Sequence, residues 1–238
     1  MSIYITGDTH GYIDRSKLTT GNFKIQKELN KNDYIIITGD AAIIWSSYTN
    51  GINKISGEDR NLIKWYNHKN FTTLFVDGNH ENHDALNKYP IEIWNGGKIH
   101  RIADSVIHLM RGQIYTIDNK TFFVMGGAKS IDKMYRKENL TWWSSEMPSK
   151  KEYEEAIINL EKHNMTVDYI ISHCCGTPFI KDLISDNIEP DELTQFFKHI
   201  EFDFNTNFKH WYFGHYHIDK QIDSKHTCIY NKIIKIED

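Results

Sequence analysis

Short apolar segments alternate with polar turns along most of the chain. Six of these segments are rich in β-branched and aromatic residues, a composition typical of buried strands. The predicted strands are Ile3–Thr6, Tyr34–Thr38, Thr72–Val76, Thr121–Met125, Tyr169–Ser172 and His210–Phe213.

Helical periodicity appears between some of these strands. Apolar residues three or four positions apart predict helices over Glu58–His68, Lys150–His163 and Asp191–Ile200. Ser149 precedes the second helix and Glu152 follows three residues later, which is the spacing of a capping box.

Residues 91–125 predict a different arrangement, in which several short strands are joined by tight turns. The turns are expected at Asn95–Gly97, Arg111–Gly112 and Asp118–Asn119. Alternating strands and helices combined with such a meander favour a layered α/β fold with mixed sheets. We expect residues 1–238 to form a single domain.

Polar residues follow nearly every predicted strand, in turns that often contain glycine. Because ligands of open α/β sheets bind beyond the carboxyl ends of the strands, we expect these side chains to converge on one edge. The candidates are Asp8, His10, Asp40, Asn79, His173, His215 and His217.

These seven side chains offer carboxylate, amide and imidazole donors, and none offers a thiolate. Such donors suit Mn, Fe, Zn or similar divalent ions, and they do not distinguish among these metals. Seven donors are too many for one tetrahedral zinc, but they suit two ions that share a carboxylate. The spacings of Asp8 with His10 and of His215 with His217 place each pair on the same side of an extended segment.

The charge of such a site indicates its substrate. Two divalent ions exceed the negative charge of Asp8, Asp40 and a bridging hydroxide, so a small positive excess remains. A positive site suits an anionic phosphate, and metal ions lower the pKa of water from 15.7 to about 7. We therefore expect metal-activated hydroxide to hydrolyse a phosphate ester.

The bulk composition excludes several other classes. The net charge of -4 argues against a general nucleic-acid binder, so no long nucleic acid is expected as a partner. Apolar runs fall far short of the roughly 20 residues of a membrane span. The N-terminus lacks the pattern of a secretory signal, so we expect a cytoplasmic protein with no membrane partner. The cysteines form no C-x-x-C motif, and we expect buried or idle thiols at Cys174, Cys175 and Cys228.

The order of the polar motifs resembles that of the calcineurin-like metallophosphoesterase superfamily. The resemblance is carried by Asp8-Thr9-His10, Gly39-Asp40, Gly78-Asn79-His80-Glu81, His173 and Gly214-His215-Tyr216-His217. It implies a four-layer αββα sandwich of two mixed β-sheets flanked by helices, with the metal site at the carboxyl ends of the strands.

The resemblance also implies a role for each motif residue. One metal would be held by Asp8, His10 and His217, and the other by Asn79, His173 and His215. Asp40 would bridge the two metals. His80 would give a proton to the leaving oxygen or hold a phosphate oxygen, a contribution of about 10²–10⁴-fold for a positioned acid.

The chain departs from the Ser/Thr protein phosphatase branch at the positions that hold phosphate. Ile43 stands where that branch has the Asp that orients the catalytic His, and Asp77 replaces an Arg. Protein phosphatase activity is therefore not expected. Asp77 is a candidate partner for His80, and Arg136 and Arg111 are candidate phosphate ligands.

Trp142 and Trp143 follow Arg136 closely in the sequence and have two interpretations. They either stack on a nucleobase or pack in the core. The leading hypothesis is a phosphodiesterase or phosphatase acting on a small molecule, with nucleotides among the candidate substrates. The alternatives are a metal-dependent nuclease and a non-catalytic module that uses metal only for stability. No obligate protein partner is predicted.

Overall fold

Two β-sheets lie face to face in the computed structural model, which describes residues 1–49, 53–184 and 189–237. The strands are β1 Ile3–Thr6, β2 Tyr34–Ile37, β3 Thr72–Phe75, β4 Ile91–Trp94, β5 Gly97–Ala103, β6 Val106–Leu109, β7 Gln113–Ile117, β8 Lys120–Met125, β9 Tyr169–Ser172, β10 His210–Phe213, β11 Lys220–Gln221, β12 His226–Cys228 and β13 Ile233–Lys235. The helices are α1 Gly57–Asn67, α2 His83–Leu86, α3 Lys150–Lys162, α4 Thr177–Ile180 and α5 Glu192–Lys198.

Each sheet has a parallel centre and antiparallel edges. The first sheet has the order β13-β1-β2-β3-β6-β5-β4. Its four central strands, β1, β2, β3 and β6, all run parallel to one another. The second has the order β11-β12-β10-β9-β8-β7, with β8, β9, β10 and β12 parallel in the same way. Parallel centres bring the carboxyl ends of several strands to one edge of each sheet.

Apolar side chains fill the space between the sheets and the space outside each sheet. Ile36 of β2 and Ile171 of β9 belong to the core between the sheets. Leu62 of α1 packs on the outer face of the first sheet, and Leu160 of α3 packs on that of the second. The layers are therefore helix, sheet, sheet and helix, which confirms the predicted αββα sandwich.

The predicted elements are confirmed with small shifts at their ends. The capping box of α3 forms, because Ser149 accepts from the N–H of Glu152 and the Glu152 side chain accepts in return. The hairpin from β7 to β8 turns through Asp118 and Asn119, which have φ of 52° and 59° as a type I′ turn requires. The largest difference concerns α5, which ends at Lys198 and continues as a π-helical turn over His199–Asp203.

Two further predictions concern the cysteines and the membrane. Cys174, Cys175 and Cys228 are free and buried. Within the described residues, every helix is too short or too polar to cross a membrane.

Candidate metal centre

The seven predicted ligands lie at the carboxyl ends of strands from both sheets. Asp8 follows β1, Asp40 follows β2, and Asn79 follows β3 in the first sheet. His173 directly follows β9, and His215 lies two residues beyond the end of β10 in the second sheet. The parallel strands thus carry residues far apart in sequence to the rim that the two sheets share.

Asp40 lies at the middle of this group. Its Oδ2 atom is 3.4 Å from His10 Nε2 and 3.2 Å from His173 Nε2. Its Oδ1 atom accepts a hydrogen bond of 2.6 Å from the backbone N–H of His80. One carboxylate therefore faces a histidine after β1 and a histidine after β9.

Asp8 forms the second acidic point of the group. Its Oδ2 atom is 3.3 Å from His217 Nε2, and its Oδ1 atom is 3.9 Å from His173 Nδ1. The backbone N–H of His215 also donates to the Asp8 carboxylate, at 3.2 Å. Asn79 completes the set, with Oδ1 3.1 Å from His173 Nε2.

Among the residues that the structure describes, three overlapping groups of donor atoms are spaced closely enough to hold a metal ion. Within each group, the donor atoms lie within 4.8 Å of one another. The groups are Asp8, His10 and His217; His10, Asp40 and His80; and Asp40, His173 and His215.

The burial of the two carboxylates supports binding of cations at this position. Asp8 and Asp40 are 0% and 1% exposed. Ring nitrogens of His10, His173 and His217 lie within 4 Å of them. Buried carboxylates need positive charge nearby, and neutral imidazoles do not provide it. Divalent cations bound among these oxygen and nitrogen donors would provide it, so the residues present fit a metal centre.

The pKa values in this cluster show how strongly its charges interact. Burial alone would lower the pKa of His173, but Asp40 and Asp8 outweigh burial and raise it to about 9. Burial would raise the pKa of Asp40, but His173 and His10 hold it well below its usual range. Burial lowers the pKa of His215 to about 4, and His173 contributes to the lowering. The two carboxylates and the histidines of the centre therefore interact strongly with one another.

The backbone is strained at several of the proposed ligands. His10, Asp40, His215 and His217 have φ values of 40°, 46°, 71° and 53°, in the left-handed region that L-residues rarely adopt. Such conformations cost about 1–3 kcal/mol each and concentrate at functional sites. Their coincidence with the donor residues supports a functional role for this rim.

Two glycines permit the close approach of the ligands. A Cβ atom at Gly39, whose φ is 115°, would overlap the ring of His173. A Cβ at Gly78 would overlap the Asp40 carboxylate and lie 2.7 Å from His173 Nε2. Glycine is required at both positions for the loops after β2 and β3 to pack against His173.

Several residues that hold the ligands in place carry no recognisable motif. Asp14 Oδ2 lies 2.7 Å from His10 Nδ1, so Nε2 of that ring faces the centre. The Thr38 carbonyl lies 3.0 Å from His173 Nδ1, so Nε2 of that ring also faces the centre, towards Asn79 and Asp40. Carbonyl and carboxylate partners of this kind orient ligand histidines and tune their basicity. The only sequence signal for Asp14 is its position four residues after His10.

Asn79 is oriented by a chain of two hydrogen bonds. Its Nδ2 donates to Ser130 Oγ at 3.1 Å, and Ser130 Oγ donates to Glu146 Oε2 at 2.5 Å. Glu146 is buried and also accepts from the N–H of Ser130. The amide oxygen of Asn79 is therefore directed at the centre by residues from the loop after β8.

The turns behind the two aspartates are fixed by two buried titratable residues, Lys17 and Glu81. Lys17 donates to the carbonyls of Asp8 and Gly7 at 2.6 and 3.3 Å, and burial lowers its pKa to about 8. Glu81 accepts from the N–H groups of Ala41 and Ala42, directly after Asp40. Burial raises the pKa of Glu81 well above its usual range.

His80 and Arg136 lie side by side at the edge of the centre. Arg136 Nη1 is 3.3 Å from His80 Nδ1, and Asp132 holds the guanidinium with two hydrogen bonds of 2.8 and 2.7 Å. The Arg136 side chain is 21% exposed. Burial lowers the pKa of His80, and Arg136 adds to this effect.

Arg111 and Asp77 pair with each other, and within the described residues neither forms a hydrogen bond with His80. Arg111 is 7% exposed and donates from Nε to Asp77 Oδ2 at 2.7 Å. The other oxygen of Asp77 lies 3.2 Å from His108 Nε2. Both residues are fully used in a buried ion pair, so we assign them a structural role.

Trp143 also has a structural role. It is 1% exposed, and its ring packs edge-on against Trp45 with centroids 5.3 Å apart. A buried ring offers no face for stacking, so the core interpretation is the correct one for Trp143. Trp45 was not predicted as a site residue, yet its ring centroid lies 6.3 Å from that of His80.

The fold and the donor set together define a metal-binding α/β sandwich. A model of the calcineurin-like phosphoesterase family matches residues 1–219, so the chain belongs to this family. Comparison with curated proteins gave no match.

Two solved structures are similar over most of the chain. One is a protein assigned as a 5′-nucleotidase from Staphylococcus aureus, in complex with α-ketoglutarate, at 17% identity and a TM-score of 0.45. The similarity covers 96% of this chain and 48% of that one, so this chain spans about half of its length. The other is a phosphopantetheinyl hydrolase from Mycobacterium tuberculosis, at 12% identity and a TM-score of 0.39, with 96% of this chain and 89% of that chain covered.

Proposed function

We propose that this protein is a phosphoric ester hydrolase that works with two divalent cations. The observation that carries the proposal is the position of Asp40. Its carboxylate lies within 3.4 Å of ring nitrogens from His10 and His173, which come from opposite sheets. A carboxylate between two donor groups is placed to be shared by two ions.

The ligands on the two sides of Asp40 would bind separate ions. Asp8, His10 and His217 would hold one ion, and Asn79, His173 and His215 the other. When bound, divalent ions would make water a stronger nucleophile and neutralise charge on the phosphate. Mn, Fe and Zn all suit this mixture of oxygen and nitrogen donors.

His80 and Arg136 would act on the substrate itself. Arg136 is pre-oriented by Asp132 and presents a fixed guanidinium beside His80, a geometry suited to phosphate oxygens. Both ring nitrogens of His80 lie near Arg136, Nδ1 at 3.3 Å from Nη1 and Nε2 at 3.5 Å from Nη2. In the proposal, the protonated ring donates to the leaving oxygen while Arg136 holds a phosphate oxygen beside it. An anionic phosphate next to His80 favours the protonated ring and opposes the effect of burial on its pKa.

The experiment that tests this function compares two simple substrates. Purified protein treated with chelator is assayed with p-nitrophenyl phosphate and bis-p-nitrophenyl phosphate, before and after addition of Mn²⁺. We expect hydrolysis only after metal is restored, and the preferred ester separates a phosphatase from a phosphodiesterase. Absence of hydrolysis of both esters with Mn²⁺, Fe²⁺ and Zn²⁺ would exclude the proposed function. Retention of full activity in His80→Ala would remove the role of His80.

A further inference from the structure

A cavity of about 280 Å³ opens directly beside the candidate metal centre. Two of its lining residues are His10 and His80, which also belong to the centre. The other walls come from the loops after β1 and β2 and from the first half of α1. The cavity is therefore adjacent to the residues at which the proposed function places the phosphate.

The walls of the cavity are mainly aromatic and aliphatic. They include Tyr12, Ile13, Trp45 and Leu62. Tyr12 and Ile13 are 50% and 78% exposed, so the fold does not bury these large apolar side chains. Aromatic and aliphatic surfaces that face one cavity favour a flat apolar group, which stacks on the rings and loses contact with water.

The two aromatic walls are held in position by specific contacts. The Tyr12 hydroxyl donates to the Glu58 carbonyl at 2.9 Å, and the Arg15 guanidinium lies 4.3 Å from the centroid of the Tyr12 ring. The backbone N–H of Trp45 donates to Asp59 Oδ2 at 3.1 Å, which ties its loop to α1. A surface already ordered in this way loses little entropy when a ligand binds.

A carboxylate marks the polar side of the cavity. Glu58 lines it together with Ser46, whose hydroxyl donates to Glu58 Oε2 at 3.1 Å. An ionised carboxylate accepts hydrogen bonds and donates none. The cavity therefore favours a ring that carries an N–H donor and disfavours a second anionic group.

We propose that this cavity binds an aromatic ring of the nucleobase class that bears an amino group and belongs to the same molecule as the scissile phosphate. This inference rests on the proposed function, because it names the substrate class of that site as nucleotides. The volume is close to the lower end of small-molecule pockets, roughly 300 Å³, and suits one ring system. Tyr12 and Trp45 would stack on the ring, and Glu58 would accept from its amino group.

The first test measures binding without any ester bond. Adenosine and ribose are titrated into the Mn²⁺-loaded protein by calorimetry, and neither compound has a phosphate to hydrolyse. Stacking contributes about 1–3 kcal/mol per base, so Tyr12→Ala should weaken adenosine binding about 5- to 150-fold. Tyr12→Phe keeps the ring and should stay within a few-fold of the wild type. Equal binding of adenosine and ribose, or unchanged adenosine binding in Tyr12→Ala, would overturn the proposal.

A second comparison tests the amino group. Purine riboside differs from adenosine only in lacking the exocyclic amine, and the wild type should prefer adenosine. Glu58→Met keeps the approximate size of the side chain and removes both acceptor oxygens, so it should reduce this preference. A preference that persists in Glu58→Met would overturn the role assigned to Glu58.

Hydrolysis of adenosine 5′-monophosphate and of ribose 5-phosphate separates this inference from the proposed function. If adenosine binds selectively but both phosphates remain intact, the proposed function fails and the nucleobase pocket stands. If both phosphates are cleaved at equal kcat/KM and adenosine does not bind, the pocket fails and the function stands. We expect adenosine 5′-monophosphate to be preferred in the wild type and the preference to decrease in Tyr12→Ala.

Discussion

Asn79 Nδ2 donates a hydrogen bond of 3.1 Å to Ser130 Oγ, and this bond directs the amide oxygen of Asn79 towards His173. The Ser130 hydroxyl has its own proton committed to Glu146, so only its lone pairs are available to Asn79. One hydroxyl group thus determines which atom of Asn79 faces the centre.

Ser130→Ala should therefore weaken metal binding and leave the fold intact. Loss of such an orienting partner lowers metal affinity about 10- to 100-fold. The affinity for Mn²⁺ is measured by isothermal titration calorimetry. Ser144→Ala is the matched control, because Ser144 is exposed in the same part of the chain. Equal affinity in the two variants would show that Asn79 needs no orientation by Ser130.

Arg136→Ala should reduce turnover without loss of metal. Removal of one donor to the reacting oxygens typically lowers kcat by about 10²–10³-fold. Steady-state kinetics on a nitrophenyl ester gives the rate, and metal analysis of the same sample gives the metal content. Lys137→Ala removes an exposed cation next in the sequence and should behave like the wild type. If both variants lowered turnover only slightly, Arg136 would have no role in catalysis and would only stabilise its loop.

Gly78→Ala should disrupt the centre through one methyl group. The added Cβ would lie 2.5 Å from Asp40 N and 2.7 Å from His173 Nε2, which is closer than van der Waals contact. Both ligands would have to move, so we expect loss of bound metal and of activity. Gly21→Ala is the control, because its Cβ would meet nothing within 4 Å. Normal metal content in Gly78→Ala would show that Asp40 and His173 need not be this close.

Asp77→Ala should destabilise the fold by about 3–5 kcal/mol, because it leaves the buried Arg111 without its partner. The free energy of unfolding in urea measures the effect. Asp104→Ala removes an exposed carboxylate and should change the free energy of unfolding by less than about 0.5 kcal/mol. A small effect of Asp77→Ala would mean that Arg111 finds other partners or water.

The contribution of Asp77 should also depend on pH. Burial would raise its pKa, but Arg111 and His108 lower it far below the ordinary value of about 4. A carboxyl group whose pKa is lower in the folded state than in the unfolded state stabilises the fold fully at a pH above its unfolded-state pKa. This stabilisation decreases as the pH falls below the unfolded-state pKa and towards the folded-state pKa. The difference between wild type and Asp77→Ala should therefore be larger at pH 7 than at pH 3.

The sequence predicts the strands and the order of the metal ligands because both depend on local patterns. Asp8, Asp40 and His173 each follow a short apolar run, and the parallel topology then brings them together. The same argument fails for Ser130 and Glu146, which reach Asn79 only after the loop beyond β8 folds back. No local pattern marks a side chain whose role is to contact another segment.

Two residues show why function is harder to predict than fold. Arg111 and Trp143 have the chemistry of phosphate and base ligands, but each is buried by tertiary packing. Trp45 has the same side chain as Trp143 but lines a cavity beside His80, together with Tyr12. Residue type alone does not separate Trp45 from Trp143, because exposure depends on segments distant in sequence.

Anomalous scattering from crystals grown with Mn²⁺ tests most directly whether two cations share the Asp40 carboxylate. We predict two anomalous peaks per chain, one beside Asp8, His10 and His217 and one beside Asn79, His173 and His215, with the Asp40 carboxylate between them. A single peak, or peaks that do not contact Asp40, would contradict the account.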